Sequence, residues 1–286
     1  MLTGGSVSFI IKTSFSPIPQ RNSWKCARAS GKRRRTKSFN PCGKGENTVK
    51  NRIKVISYNI HAGRDADGGF NLDRIAHIIA EENADMVGLN EVDHGTRRSK
   101  GMDQAKYIAG RLHCHYAFGK AIDHSGGEYG NAFLSKYPVV ASRNHRLPIH
   151  SSGISELRSM LECDVNRNGK LIKVCTTHLG LSKAERQLSI EYISGVLRTM
   201  GTSVVLLGDF NLVHAKDFEE LLPLKEVLKD TAEDIGDGSD LMTFDSKNPG
   251  TKIDYILASK DMKTLDTYTR ASLASDHLPL ICELEF

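Results

Sequence analysis

Ser203-Val204-Val205-Leu206-Leu207-Gly208-Asp209-Phe210-Asn211 begins as an apolar run and stops at a glycine, after which two polar groups stand two residues apart. A short run of this kind reads as a buried strand whose end carries Asp209 and Asn211. The flanking segments fit a domain built around it. Ser182 to Met200 is the longest helical stretch. Arg158 to Val165 and Leu171 to Thr177 read as strands joined through Asn166-Arg167-Asn168-Gly169, a hairpin turn signal. Downstream, Ile253 to Ala258 and Leu278 to Leu284 read as further strands.

Farther out, Ile53 to Ile60 and Met86 to Leu89 predict buried strands, with Leu72 to Glu82 between them as an amphipathic helix. Ile75, Ile78 and Ile79 form its apolar stripe, and Asn71 is placed to cap it. Gln104 to Leu112 predicts a second helix and Asn131 to Ser135 another strand. No internal repeat is visible. Strands interleaved with helices indicate an α/β or α+β domain.

The net charge of +5 over 286 residues is unevenly placed. Residues 1–50 hold 11 Lys or Arg against the single acid Glu46, which leaves 28 bases and 33 acids in residues 51–286. The overall charge is therefore no argument for a nucleic-acid-binding domain. Residues 1–50 are too poor in apolar residues to fold alone and are expected to form a disordered basic extension. Their Arg-rich, Ser-rich and acid-poor composition fits a plastid or mitochondrial transit peptide. The run from Lys32 to Arg35, with Lys37 beyond, fits a nuclear address as the alternative. No apolar run approaches the roughly 20 residues of a membrane span, so no integral membrane association is expected. The six cysteines form no CxxC pair, and Cys163, Cys175 and Cys282 read as small buried hydrophobes in a reducing compartment.

Polar groups recur where the strands end: Asn59, Glu91, His178, Asp209, Asn211, Asp254 and Asp276-His277. Strand ends hold side chains rigidly, so convergent catalytic groups are expected there. Each residue alone reads as readily as a turn or surface group. In order along the chain they form Ser57-Tyr58-Asn59-Ile60, Leu89-Asn90-Glu91-Val92, Thr177-His178-Leu179-Gly180, Gly208-Asp209-Phe210-Asn211, Lys252-Ile253-Asp254-Tyr255 and Ser275-Asp276-His277. This set resembles the endonuclease/exonuclease/phosphatase superfamily, which includes deoxyribonuclease I-like nucleases, abasic-site endonucleases and neutral sphingomyelinases. The resemblance spans Arg52 to Phe286. It implies an α+β fold, a four-layer αββα sandwich of two mixed β-sheets flanked by helices, with residues 51–286 as the catalytic domain. The chain departs from the pattern at Asn90, where the family usually has Gln. It also has His61 where abasic-site endonucleases carry an acid.

The resemblance further implies a phosphoesterase dependent on Mg²⁺, with Mn²⁺ as a substitute; separately, a monomer is expected. Its substrate would be a phosphodiester in nucleic acid, with a sphingomyelinase-like phospholipid diesterase or a phosphomonoesterase as the alternative. Glu91 would be the principal metal ligand, magnesium preferring hard oxygens and keeping several waters. Asn59 and Asp276 complete the metal side, Asn59 by orienting Glu91 or holding metal-bound water. Asp209 would position or deprotonate the attacking water, and Asn211 would donate to a phosphate oxygen. His277, oriented by Asp254, would contact phosphate or assist proton transfer, and His178 would supply another donor. Asn131 and Arg158 are substrate-side candidates, Arg158 lying two residues from Glu156 on one face of an expected strand. An ordinary salt bridge is the alternative for that pair. His61, His94, His113, His115, His124, His145, His150 and His214 show no ligand spacing and read as structural or exposed. The His113-Cys114-His115 cluster is set aside because neighbours on a helix face different ways.

Overall fold

The computed structural model describes residues 51–150, 156–201, 203–213, 215–236 and 241–286. Residues 1–50 and His214 lie outside them, so the expectations for both stay at the level of sequence. The two strands with the clearest apolar runs sit at the centres of two sheets. In the first sheet the order is β11 (Lys263–Thr269), β12 (Leu280–Glu285), β1 (Arg52–Asn59), β2 (Met86–His94), β4 (Gly127–Ser135) and β3 (His115–His124). In the second it is β5 (Val139–Arg146), β6 (Ser159–Arg167), β7 (Lys170–His178), β8 (Val204–Asp209), β10 (Asp254–Ser259) and β9 (Leu228–Asp230). Only β1–β2 and β7–β8 pair in parallel among these neighbours, so both sheets are mixed.

A parallel pair needs a crossover, and each has a helix. Helix α1 (Leu72–Glu82) joins β1 to β2, and α3 (Lys183–Leu197) joins β7 to β8. Both start on a capping side chain, Asn71 accepting from Arg74 N and Ser182 from Glu185 N. The remaining α-helices among the described residues are α2 (Gln104–Leu112), α4 (Leu222–Lys225) and α5 (Thr231–Ile235).

Side-chain alternation then fixes the layers. Ile53 and Val55 of β1, Val205 and Leu207 of β8, and Ile256 and Ala258 of β10 pack into one core between the sheets. Their neighbours Ile56 and Tyr58 pack outward against Ile75, Ile78 and Ile79 of α1 and Ile108 of α2. Leu206, Tyr255 and Leu257 pack outward against Ile190, Ile193 and Leu197 of α3. The result is a four-layer αββα sandwich. Gly88 lets the sheets approach closely, because a Cβ there would stand 1.8 Å from Leu207 Cδ1. Cys163, Cys175 and Cys282 are fully buried, and desolvation pushes their thiols up.

The helical argument against the His113-Cys114-His115 cluster does not apply. Helix α2 stops at Leu112, His113 caps it in the left-handed region and β3 begins at His115. Cys114 packs into the apolar layer instead, its thiol pushed by burial to about 11.

Candidate active site

The inter-sheet core ends in polar groups because the same alternation continues past its last apolar residue. Stepping by two from Val55 along β1 reaches Ser57 and Asn59; from Leu207 it reaches Asp209, and from Ile256 back along β10 it reaches Asp254. Thus Asn59, His178, Asp209 and Asp254 cap the core at one end, each under 10% exposed. Gly208 is required just before Asp209. Its φ is +146°, and a Cβ there would stand 1.8 Å from the carbonyl oxygen of Thr177.

Glu91 reaches this face by another route. Strand β2 carries a bulge between Leu89 and Val92, and Glu91 sits in the left-handed region with φ of +58°. An unbroken strand would alternate Glu91 toward the helices, and the extra residue re-aims it. Its Oε1 accepts from Asn59 Nδ2 at 3.1 Å, and the same nitrogen donates to Asp209 Oδ2 at 3.1 Å.

Asp209 is the centre of the cluster. Besides Asn59, its Oδ2 faces His178 Nε2 at 3.4 Å and His277 Nε2 at 3.7 Å, while Oδ1 accepts from the Asn211 backbone at 3.0 Å. Burial, then the charge of Asp254, raises its pKa to about 7 against the opposing pull of His277 and Asn59. His277 Nδ1 lies 2.8 Å from Asp254 Oδ2. Burial opposes its charged form, but the charge and hydrogen bond of Asp254, then Asp209 and Asp276, lift it to about 10. The pairing with Asp254 therefore favours the imidazolium form of His277. His178 is the opposite case, held well below the ordinary range by burial and then by the charge of Arg158. Arg158 Nη1 lies 3.2 Å from His178 Nδ1, and a guanidinium can only donate. The proton of neutral His178 must then sit on Nε2, facing Asp209.

The structure brings Asn59, Glu91, His178, Asp209, Asn211, Asp254 and His277 together. Asn59 orients Glu91, as expected, and Asp209 as well, its nitrogen facing both carboxylates while its Oδ1 accepts from His61 N at 3.0 Å. Two expectations change. Asn131 is 2% exposed and its amide is engaged by Asn90 and the Ser159 carbonyl, so it braces the framework. Glu156 and Arg158 precede β6, which starts at Ser159, and so do not share a strand face. They do pair, at 3.1 Å, and Arg158 also reaches His178. Asn211 donates through Nδ2 to the Leu179 carbonyl at 2.9 Å.

Sequence reasoning missed His61, whose Nδ1 lies 3.5 Å from Asp276 Oδ2, and Phe244, whose ring packs 5.0 Å from that of His277. Only the position of His61 two residues after Asn59 could have signalled it.

Among the described residues no three His, Cys, Asp or Glu side chains form a ready metal cage. Asp209, Asp254 and Asp276 nevertheless surround His277, and Asn59 ties Glu91 to Asp209. Such a hard-oxygen, anionic set fits Mg²⁺, which binds through one or two carboxylates, waters and substrate phosphate. Glu91 and Asp276, both partly exposed, are the two that would hold it.

The sequence profile of the Endonuclease/Exonuclease/phosphatase family matches residues 56–277. The uncharacterized protein YbhP of Escherichia coli strain K12 is 29% identical over 248 residues, covering 81% of this chain and 96% of YbhP. An endonuclease/exonuclease/phosphatase structure from Beutenbergia cavernae superposes with a TM-score of 0.70 at 22% identity, covering 83% of this chain and 72% of that one. The mannosyl-6-phosphatase Bt3783 of Bacteroides thetaiotaomicron superposes with a TM-score of 0.63 at 20% identity, over 82% of this chain and 100% of that one. With the profile covering every residue of the cluster, the chain belongs to the endonuclease/exonuclease/phosphatase family, whose members are hydrolases of phosphoester bonds.

Proposed function

We propose that the protein is a divalent-metal-dependent phosphodiesterase acting on nucleic acid, with Mg²⁺ as the metal and Mn²⁺ as a substitute. The observation that carries this reading is the convergence of Asn59, His178 and His277 on a single carboxylate, Asp209. A carboxylate with a pKa near 7 is matched to taking a proton from water at neutral pH. Asn59 and the Asn211 backbone hold Asp209 in place, so the water it takes up is aimed as well as activated. His277, kept protonated by Asp254, and His178, with its proton on Nε2, are donors for the charge that develops on phosphate oxygens. When bound, the divalent cation supplies a Lewis acid that offsets the same charge.

The cationic groups joined to the cluster among the described residues are His277, paired with Asp254, and Arg158, paired with Glu156. So small a positive set suits a monoanionic diester better than a dianionic monoester. A hydrolysis panel tests the reading: single- and double-stranded DNA, abasic DNA, RNA, sphingomyelin and simple phosphate monoesters, each with Mg²⁺ and with chelator. Cleavage of nucleic acid in Mg²⁺ alone is expected. Turnover confined to sphingomyelin or to monoesters would replace the substrate assignment, and no turnover of any phosphoester would reject the reading.

A further inference from the structure

The two sheets share one strand order and one pattern of strand directions. Antiparallel β12 beside β1, parallel β2, antiparallel β4 and edge strand β3 are matched by β6, β7, β8, β10 and β9. Equivalent strand ends carry different chemistry. On the second sheet His178, Asp209 and Asp254 stand side by side in register. On the first the corresponding row is Asn59, Asn90 and Asn131, with Asn59 in register with Asn90 and Asn131 opposite the bulge. An amide row thus faces an ionisable row.

The amides span the gap. Asn90, fully buried, donates through Nδ2 to the Thr177 carbonyl and to Asn131 Oδ1, both at 2.8 Å, and accepts through Oδ1 from Asp209 N at 3.0 Å. Asn131 Nδ2 continues to the Ser159 carbonyl at 2.9 Å. The backbone partners fix these orientations, since a carbonyl can only accept and an N–H only donate. Glu91 and Asp209 lie on different sheets, and no backbone ladder sets the distance between them. Asn90 adjoins the first in sequence and holds the backbone of the second.

We propose that Asn90 is a positioning residue that fixes the separation of Glu91 and Asp209 across the sheet interface, an inference that rests on the metal-dependent reading above. Groups that orient metal ligands typically cost 10- to 100-fold in metal affinity or activity when lost. Asn90→Ala should raise the Mn²⁺ dissociation constant, read by calorimetry, by about 10-fold or more. With bis(p-nitrophenyl) phosphate, kcat should fall by a similar factor and KM should hold. In the metal-free protein the Asp209 amide should exchange its hydrogen faster than in the parent. Asn90→Ser, too short to reach both acceptors, should behave alike and serves if the alanine variant does not fold. Val87→Ala, a buried cavity on the helix side of the same strand, should lower the melting temperature and leave Mn²⁺ affinity and kcat intact. Wild-type affinity and kcat in the Asn90 variants, or equal losses in Val87→Ala, would overturn the proposal. If the parent itself neither binds Mn²⁺ nor cleaves a phosphodiester, the functional reading fails. Amide exchange then decides alone, and unchanged protection of Asp209 overturns the role of Asn90.

Discussion

Asp209→Asn should stabilise the metal-free protein at pH 8 while removing its activity. Asp209 is 2% exposed and its pKa rises from 3.8 to about 7, chiefly through burial. Between those values the folded chain keeps a proton that the unfolded chain has released. Stability therefore falls as pH rises from about 4 to about 7 and stays low above. At about 1.4 kcal/mol per unit, the ceiling on the cost of the charged carboxylate is about 4 kcal/mol. The asparagine gives part of this back. Its oxygen can still face Asn59 and the two imidazoles, but its nitrogen then meets the Asn211 N–H, a donor against a donor, at about 1–2 kcal/mol. A net gain of about 2 kcal/mol remains, or roughly 4–8 °C in melting temperature for a domain of this size. Calorimetric scans in chelator at pH 8 and pH 4 check it, and at pH 4 the gain should give way to a loss of about 1–2 kcal/mol, because only the donor–donor cost remains. Destabilisation at pH 8, or a gain equal at both pH values, would refute the argument that Asp209 is charged at a cost.

Asp254→Ala and His277→Ala should each lower kcat by about 10²-fold or more, with the double variant little worse than the poorer single; additive small effects in steady-state kinetics would contradict a working pair. Arg186→Ala should cost about 3–5 kcal/mol in denaturant unfolding, because it strands Glu220 in a bidentate pair whose side chains are 5% and 1% exposed. Residues 1–50 fused to a fluorescent reporter should enter plastids or mitochondria, and exclusive nuclear accumulation would favour the basic run as the address.

The strands that the sequence leaves hidden are β3, β5, β9 and β11, the four edges of the two sheets. Edge strands need little apolar surface. Val139–Arg146 buries only His145 among eight residues, so its polar face hides the period. The central strands show because both faces are packed, as in Val204–Asp209, buried throughout. Within the site, Asn59, Asp209 and Asp254 fall on the inner parity of their strands and are legible once that parity is known. Glu91 breaks it. Its strand reads as ending at Leu89 because Asn90 and Glu91 are polar, whereas it continues through a bulge to His94. Nor can the repeated strand order be read from residues, since the two sheets share order and not side chains.

Titrating Mg²⁺ against turnover of bis(p-nitrophenyl) phosphate, with the parent and Glu91→Gln side by side, bears most directly on the central claim. The parent should be silent in excess chelator and saturate with added Mg²⁺. Glu91→Gln should fold normally and lose at least about 10²-fold in rate at the same metal concentration. Undiminished turnover in chelator, or a Glu91→Gln titration that overlays the parent, would contradict a metal-dependent phosphodiesterase centred on Glu91 and Asp209.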